Sequence, residues 1–261
     1  MSKTDSPPPE GLINSPAAGF RFAFEGMRLI MRPGLRRYVV VPVLINIVVF
    51  VALAWFGAEQ FDAVLDRWLP EDSWLAYFRW LLWPLFAAAF LLIMFFTFTV
   101  IANLLGAPFN DLLSARVEMM LSGQKPQDAP GSLLSAIGPA IRSELQKLGY
   151  FLPRALPLLL LFVIPGLNTL APLAWGLFSA WALALEYTEY PFGNNGILFR
   201  AQRLVVRLRR FTALGFGGGV MLLMLIPGVS LVAMPASVAG ATALWVARLK
   251  AAAIPSQGET P

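Results

Sequence analysis

Four stretches of this chain carry no charged side chain: residues 39–56, 80–110, 155–185 and 211–247. Lipid must be the solvent for part of any fold that contains them. As helices the first would extend about 27 Å, close to the roughly 30 Å of a hydrocarbon core, and the second about 46 Å, so it must tilt or project beyond the bilayer. The other two are interrupted, one by Pro165-Gly166-Leu167-Asn168 and Pro172, the other by Pro227-Gly228 and Pro235. The arms ahead of these breaks, residues 155–164 and 213–226, would reach only about 15 Å and about 21 Å. Residues 164–172 also lie over 226–235 with one insertion, Ile-Pro-Gly opening both. Each region therefore reads as a re-entrant hairpin of half-helices, with one proline-kinked span as the other solution.

With 57% hydrophobic and 13% charged residues, a soluble domain of this length has no core large enough for the apolar surface. Cysteine and histidine are both missing from the sequence, which excludes disulfides, thiol chemistry, Cys/His zinc sites and histidine proton relays. No cofactor and no enzymatic activity are expected. The chain contains no Gly-x-x-x-x-Gly-Lys-Ser/Thr phosphate loop. Its net charge of +5 is not laid out as an aromatic-spaced nucleic-acid surface; anionic lipid is the expected partner of the excess bases.

The expected fold is an all-α integral membrane protein. Two long transmembrane helices fall at about 38–57 and 80–108, two hairpins at about 153–187 and 211–248, and amphipathic interfacial helices between them. Residues 18–250 form one membrane domain between disordered tails, 1–17 and 251–261. The tail before residue 16 has no apolar stretch for a signal-peptide core, so insertion relies on the later spans. Phe20, Phe24, Met27 and Met31 form an apolar stripe beside a charged one of Arg21, Glu25, Arg28 and Arg32, as in a helix lying in the headgroup layer or on the protein's own cytoplasmic face. The acidic loop at 57–79, against the arginines ahead of the first span, places the N-terminus in the cytoplasm. Pro108 interrupts the second long run, and Asn110 and Asp111 can cap the helix that continues. Ser132 can cap a non-spanning amphipathic helix with its stripe at Leu134, Ile137, Ile141, Leu145, Leu148 and Leu152. Gly215 and Gly219, with Ala236, Ala239, Gly240 and Ala243, are close-packing faces for contacts within or between protomers.

The most compact candidate site is Arg32-Pro33-Gly34-Leu35-Arg36-Arg37. Pro33 and Gly34 end one helix, and a helix starting near Arg36 leaves its first amides unpaired beside two guanidinium groups. Backbone donors, helix dipole and arginine forks together suit a multivalent oxyanion. Basic residues ahead of a span also serve as topology determinants and headgroup anchors. Asn46 in the first span, Asn168 at a hairpin tip and Glu186 at a hairpin end are possible pathway groups. Asn168 can instead cap a half-helix, and Glu186 with Glu189 can mark an interfacial helix end. Arg200, Arg203, Arg207 and Arg210 form a stripe that meets lipid phosphate or gathers anions at an entrance.

The amphipathic start, Pro33-Gly34-Leu35-Arg36-Arg37, two long spans and the hairpins bearing Pro165-Gly166-Leu167-Asn168 and Pro227-Gly228 resemble the CysZ sulfate permeases of bacterial inner membranes, over residues 18–250. The Gly-Leu-Arg-Arg turn and the Gly-Leu-Asn tip carry the likeness most specifically. The resemblance implies sulfate uptake for cysteine biosynthesis by an all-helical homo-oligomer with hemi-penetrating helix pairs, whose protomers can be antiparallel. It implies a sulfate site at the backbone of Gly34 and Leu35 and the side chains of Arg36 and Arg37. The rival expectations are a non-transporting scaffold that binds anionic lipid, and a permease for another oxyanion.

Overall fold

The computed structural model describes residues 14–68, 79–126 and 133–254. All regular structure among them is helical: α1 (Pro16–Ile30), α2 (Arg37–Trp68), α3 (Arg79–Ser122), α4 (Leu133–Leu161), α5 (Ala171–Asn194), α6 (Phe199–Leu208), α7 (Arg210–Leu225), α8 (Ser230–Leu244), a π-helical turn (Trp245–Leu249) and α9 (Lys250–Ala253). The described residues of Met1–Arg36 and Asn110–Pro261 form one compact unit, and Arg37–Phe109 forms a second.

α1 begins where Ser15 accepts a hydrogen bond from the Ala18 N–H at 3.2 Å and Pro16 occupies the first turn. The helix therefore takes in residues 16 and 17, which composition had placed in the tail. Its buried face is Gly19, Ala23, Gly26, Leu29 and Ile30, whereas Phe20 and Met31 are exposed. The stripe of large apolar residues is thus not the packed one. Small residues win because α1 lies against α7 and α8 at backbone contact: a Cβ added at Gly19 would stand 1.8 Å from the Thr212 carbonyl oxygen, and one at Gly26 would stand 2.0 Å from that of Ala236. The contact is reciprocal, since Gly215 faces the Pro16 carbonyl and Gly240 that of Phe22. The small-residue faces of α7 and α8 are therefore used within the protomer. Across α7, Gly217 meets the carbonyl of Ala180 in α5 in the same way.

The two hairpins are helix–turn–helix pairs with longer arms than the proline positions suggested. α4 is one continuous helix of 29 residues that joins the amphipathic segment to the first arm through Pro153 and Pro157. Prolines remove intrahelical N–H donors here without ending the helix. Its stripe also points away from the packed side: Ile141, Leu145, Leu148 and Leu152 are exposed, as lipid-facing residues would be. In the second hairpin the π-helical turn and α9 carry the returning arm past Arg248 and Lys250 to residue 253, beyond the expected limit. Val232–Ala253 is consequently long and apolar enough to cross a membrane, as is Arg37–Gly57. The first of these is 67% buried inside the protein and the second only 11%, so the first packs on protein and the second leaves most of its apolar surface uncovered. In α3 the apolar stretch among the described residues is Trp83–Phe98.

Two other boundaries differ from expectation. α2 continues to Trp68, so residues 57–68 are helix rather than loop, with Trp55 donating to Glu59 at 2.6 Å. Pro108 sits inside α3 without breaking it, so Asn110 and Asp111 are interior helix residues and not caps. Ser132 and the acidic residues 71 and 72 lie outside the described residues.

Near the end of α3 a carboxylate is fully buried. Glu118 has no exposed surface, and accepts from Asn195 Nδ2 at 2.9 Å, Trp245 Nε1 at 3.0 Å and Lys250 Nζ at 2.9 Å. Phe192 packs on the Trp245 ring at 4.4 Å between centroids. One acid thereby ties α3 to the end of α5 and to the π-helical turn, and the two extra donors with the ammonium meet the conditions under which a buried charge is tolerated.

Three stability outcomes are expected. Gly26→Leu drives a side chain into the α8 backbone and lowers stability by about 3 kcal/mol, read as a fall in melting temperature in detergent. Gly149→Ala, whose added Cβ meets nothing within 4 Å, leaves it unchanged or slightly raised. Glu118→Ala leaves the Lys250 ammonium unpaired and costs about 3 kcal/mol in the same assay.

Candidate functional site

Residues 31–36 form the turn between α1 and α2. Gly34 has φ +88°, and the Leu35 and Arg36 amides both donate to the Arg32 carbonyl, at 3.2 and 3.4 Å. A proline followed by a left-handed glycine, closed by a bond from the next residue, is a type II turn. The same turn recurs at Pro165-Gly166, where Leu167 and Asn168 donate to the Ile164 carbonyl and Gly166 has φ +85°. A related turn lies at Pro227-Gly228, where Gly228 has φ +82° and the Ile226 carbonyl accepts from Ser230, one residue further on. A left-handed backbone is strained for residues with a Cβ, which explains the glycine at all three.

Leu35 is fully buried and anchors the turn in the first unit. Its amide is committed to Arg32, while among the described residues the Gly34 N–H has no backbone acceptor. Arg36 and Arg37 are exposed. Arg36 donates through Nε to the Met31 carbonyl, which fixes the stem of the side chain and leaves the outer nitrogens of its fork. Arg37 opens the second unit, donating to the Tyr38 hydroxyl at 3.1 Å with its guanidinium 5.0 Å from that ring's centroid. Neither arginine has a carboxylate partner among the described residues. Upstream, Arg21, Arg28 and Arg32 with Glu25 line a hollow of about 530 Å³ along the exposed face of α1.

The other sequence candidates stand apart from this turn. Asn46 is half-buried in α2, and its Oδ1 is shielded without a hydrogen-bond partner among the described residues. Asn168 is exposed at the first hairpin tip, and it is not the N-cap: Leu170 occupies that position, with no side-chain cap. Glu186 is exposed on α5. Its neighbour Glu189 is engaged, accepting from Lys147 at 2.6 Å, and Lys147 also meets Glu144 at 2.7 Å. Burial alone would lower the Lys147 pKa, but the hydrogen bonds to Glu144 and Glu189 outweigh it and hold the ammonium above the ordinary lysine range. Glu189 is therefore not a free acid–base group.

A second basic site is built where α4, α5, α6 and α7 meet. Arg154 of α4 lies 3.9 Å from the centroid of Tyr150, and Arg203 of α6 lies 4.7 Å from it. Trp181 of α5 donates to the Tyr150 hydroxyl at 3.1 Å. Together with Arg207, Arg210 and Leu214 these residues enclose about 530 Å³. Gln202, on the buried face of α6, holds that helix against α5 through the Leu185 carbonyl at 2.6 Å and the Thr188 hydroxyl at 2.9 Å. The α6 stripe was readable as a periodicity. Its meeting with Tyr150 and Arg154 was not, because two arginine-bearing helices 50 residues apart in sequence give no local sign of contact. Glu118 was also missed, although a lone acid within Val-Glu-Met-Met-Leu is the kind of residue that marks a buried polar contact.

Residues 22–235 match the family described as Sulfate transporter CysZ/Etoposide-induced protein 2.4. Several curated relatives carry the name Sulfate transporter CysZ. One from Pseudomonas aeruginosa (strain LESB58) is 43% identical over 232 residues, covering 88% of this chain and 94% of the relative. One from Pectobacterium atrosepticum is 41% identical over 240 residues, covering 89% and 86%. A third, from Pseudomonas syringae pv. tomato, is 40% identical and covers 91% and 95%. With long apolar helices, and with relatives matched along nearly their whole length, this chain is a membrane protein and belongs to the Sulfate transporter CysZ/Etoposide-induced protein 2.4 family.

Proposed function

We propose that this protein carries sulfate across the bacterial inner membrane, and that Arg36 and Arg37 with the Gly34 backbone capture the ion at the membrane face. The observation that carries the reading is the exposed arginine pair at a type II turn, free of carboxylate partners among the described residues, in a chain whose relatives are named sulfate transporters. A guanidinium presents coplanar N–H donors that suit two oxygens of a tetrahedral dianion at once. The Gly34 N–H adds a neutral donor. Because Leu35 spends its amide within the turn, its contribution is to seat the turn through its buried side chain.

Stripping a dianion of water is expensive, so passage calls for a wet route with staged donors rather than one dry cage. The hairpin tips supply candidates. Non-helical backbone at membrane depth is tolerated where it lines a cavity, and Asn168 brings a side-chain amide to one tip. Asn46, whose Oδ1 has no partner among the described residues, is a second polar station, and Glu186 is the exposed acid through which a proton is coupled. We read the hairpins as re-entrant and the working form as a homo-oligomer, with protomers that can be antiparallel, set in anionic lipid.

Replacing Arg36 and Arg37 together by alanine removes two charge-assisted contacts and should weaken sulfate binding by at least about tenfold, measured by isothermal titration calorimetry on the detergent-solubilised protein. The variant should retain the parent's helical circular dichroism and elution volume. Unchanged affinity in a folded double variant rejects the site.

A further inference from the structure

The cavity at the junction of α4, α5, α6 and α7 has a chemistry that sulfate capture at the Arg36–Arg37 turn does not use. Four of its lining residues are arginines, 154, 203, 207 and 210, and among the described residues none is a carboxylate. Four guanidinium groups around about 530 Å³, three of them exposed and Arg203 half-buried, concentrate positive charge that favours an anion among them. Two are held in place by Tyr150, against whose ring Arg154 and Arg203 stack at 3.9 and 4.7 Å. Stacking orients a guanidinium while leaving N–H edges to donate; one nitrogen of Arg154 is committed to the Tyr150 carbonyl at 2.6 Å and its others remain. Tyr150 is itself pinned by Trp181. The arginines are thus set on a shared aromatic support, unlike a loose surface stripe. An adjoining hollow shares Tyr150, Arg154 and Arg203 and adds Arg200, so the basic surface continues along α6.

Size and surroundings identify the anion. The hollow is open on one side and is far larger than a bare tetrahedral oxyanion, so it has room for a phosphodiester with its polar substituent. The mouth is amphipathic: Trp181 and Leu214 line the cavity, and Leu177 and Phe211, one helical turn before each, are 54% and 43% exposed. Guanidinium donors beside exposed apolar and aromatic side chains match a molecule with a charged head and hydrocarbon tails. The 104° bend between α6 and α7 brings the polar face of α6 and the apolar start of α7 to the same place.

We propose that this cavity is a binding site for the headgroup of an anionic phospholipid, with Arg154, Arg203, Arg207 and Arg210 around the phosphate and Tyr150 as their common support. The site deepens the expected association with anionic lipid and rests on the membrane reading, not on sulfate transport. It can fail while the Arg36–Arg37 site stands, and the reverse also holds.

The full-length protein, purified in mild detergent and exchanged with phosphatidylglycerol or phosphatidylcholine, is examined by native mass spectrometry with quantification of retained lipid. The parent should retain phosphatidylglycerol in preference to phosphatidylcholine, and Arg203→Gln/Arg207→Gln/Arg210→Gln should reduce that retention by about tenfold or more. If the triple variant does not fold, Arg207→Gln/Arg210→Gln, both exposed, is scored by the same readout with a smaller expected loss, about threefold or more. Equal retention of the two lipids by the parent, or equal phosphatidylglycerol retention by parent and folded variant, overturns the proposal. A parallel arm counts bound radiolabelled sulfate. If the variant loses a bound sulfate while its lipid retention is unchanged, the cavity takes the free ion and the lipid assignment is wrong.

Discussion

Contact between bare backbones, made possible by glycine, is the constraint on which the larger unit depends. α1 can lie against α7 and α8 only because Gly19 and Gly26 meet carbonyls of those helices, and because Gly215 and Gly240 return the contact. Helices in lipid gain little from hiding apolar surface from water, so their association rests on dispersion between surfaces that fit closely, together with hydrogen bonds. Gly217 extends the same packing to α5. The arrangement holds the amphipathic first helix among the hairpin helices, rather than free in the headgroup layer, and thereby positions the start of the turn at residues 31–36.

Around that packed centre the chain uses one turn twice and a related one once. Proline sets φ, glycine supplies the left-handed step, and the carbonyl before the proline accepts from residues beyond the glycine. At the first occurrence two arginines follow; at the others the following residues are Leu167-Asn168 and Val229-Ser230. The Pro-Gly step is therefore common to all three and the charge is particular to one. The buried Glu118 acts at the other extreme of exposure, spending its charge on Asn195, Trp245 and Lys250 so that the π-helical turn closes against α3.

Much of this was legible beforehand. Charge-free runs of helical length identified a membrane protein, and the Pro-Gly pairs located all three turns. The family likeness rested on residues that the comparisons independently cover. What the sequence hid was which face of a helix is packed. On α1 the large residues pointed to one stripe, but the smallest residues are buried because the neighbouring backbones come so close; on α4 the regular leucine stripe turned outward. Hydrophobic periodicity marks an amphipathic helix without saying whether its apolar side meets protein or lipid, and in a bilayer both are favourable. Proline was over-read in the same way, since Pro108 and Pro235 are carried inside continuous helices.

In the proposed function the basic turn at the end of a tightly packed helix captures a doubly charged oxyanion, and the broken helices supply polar backbone along its route. The most direct test is uptake of radiolabelled sulfate by liposomes that contain the purified protein. The proposed function predicts uptake well above that of protein-free vesicles, reduced by excess unlabelled sulfate and untouched by equal ionic strength of chloride. Uptake no greater than in protein-free vesicles, with the protein shown to be folded and inserted, would contradict it.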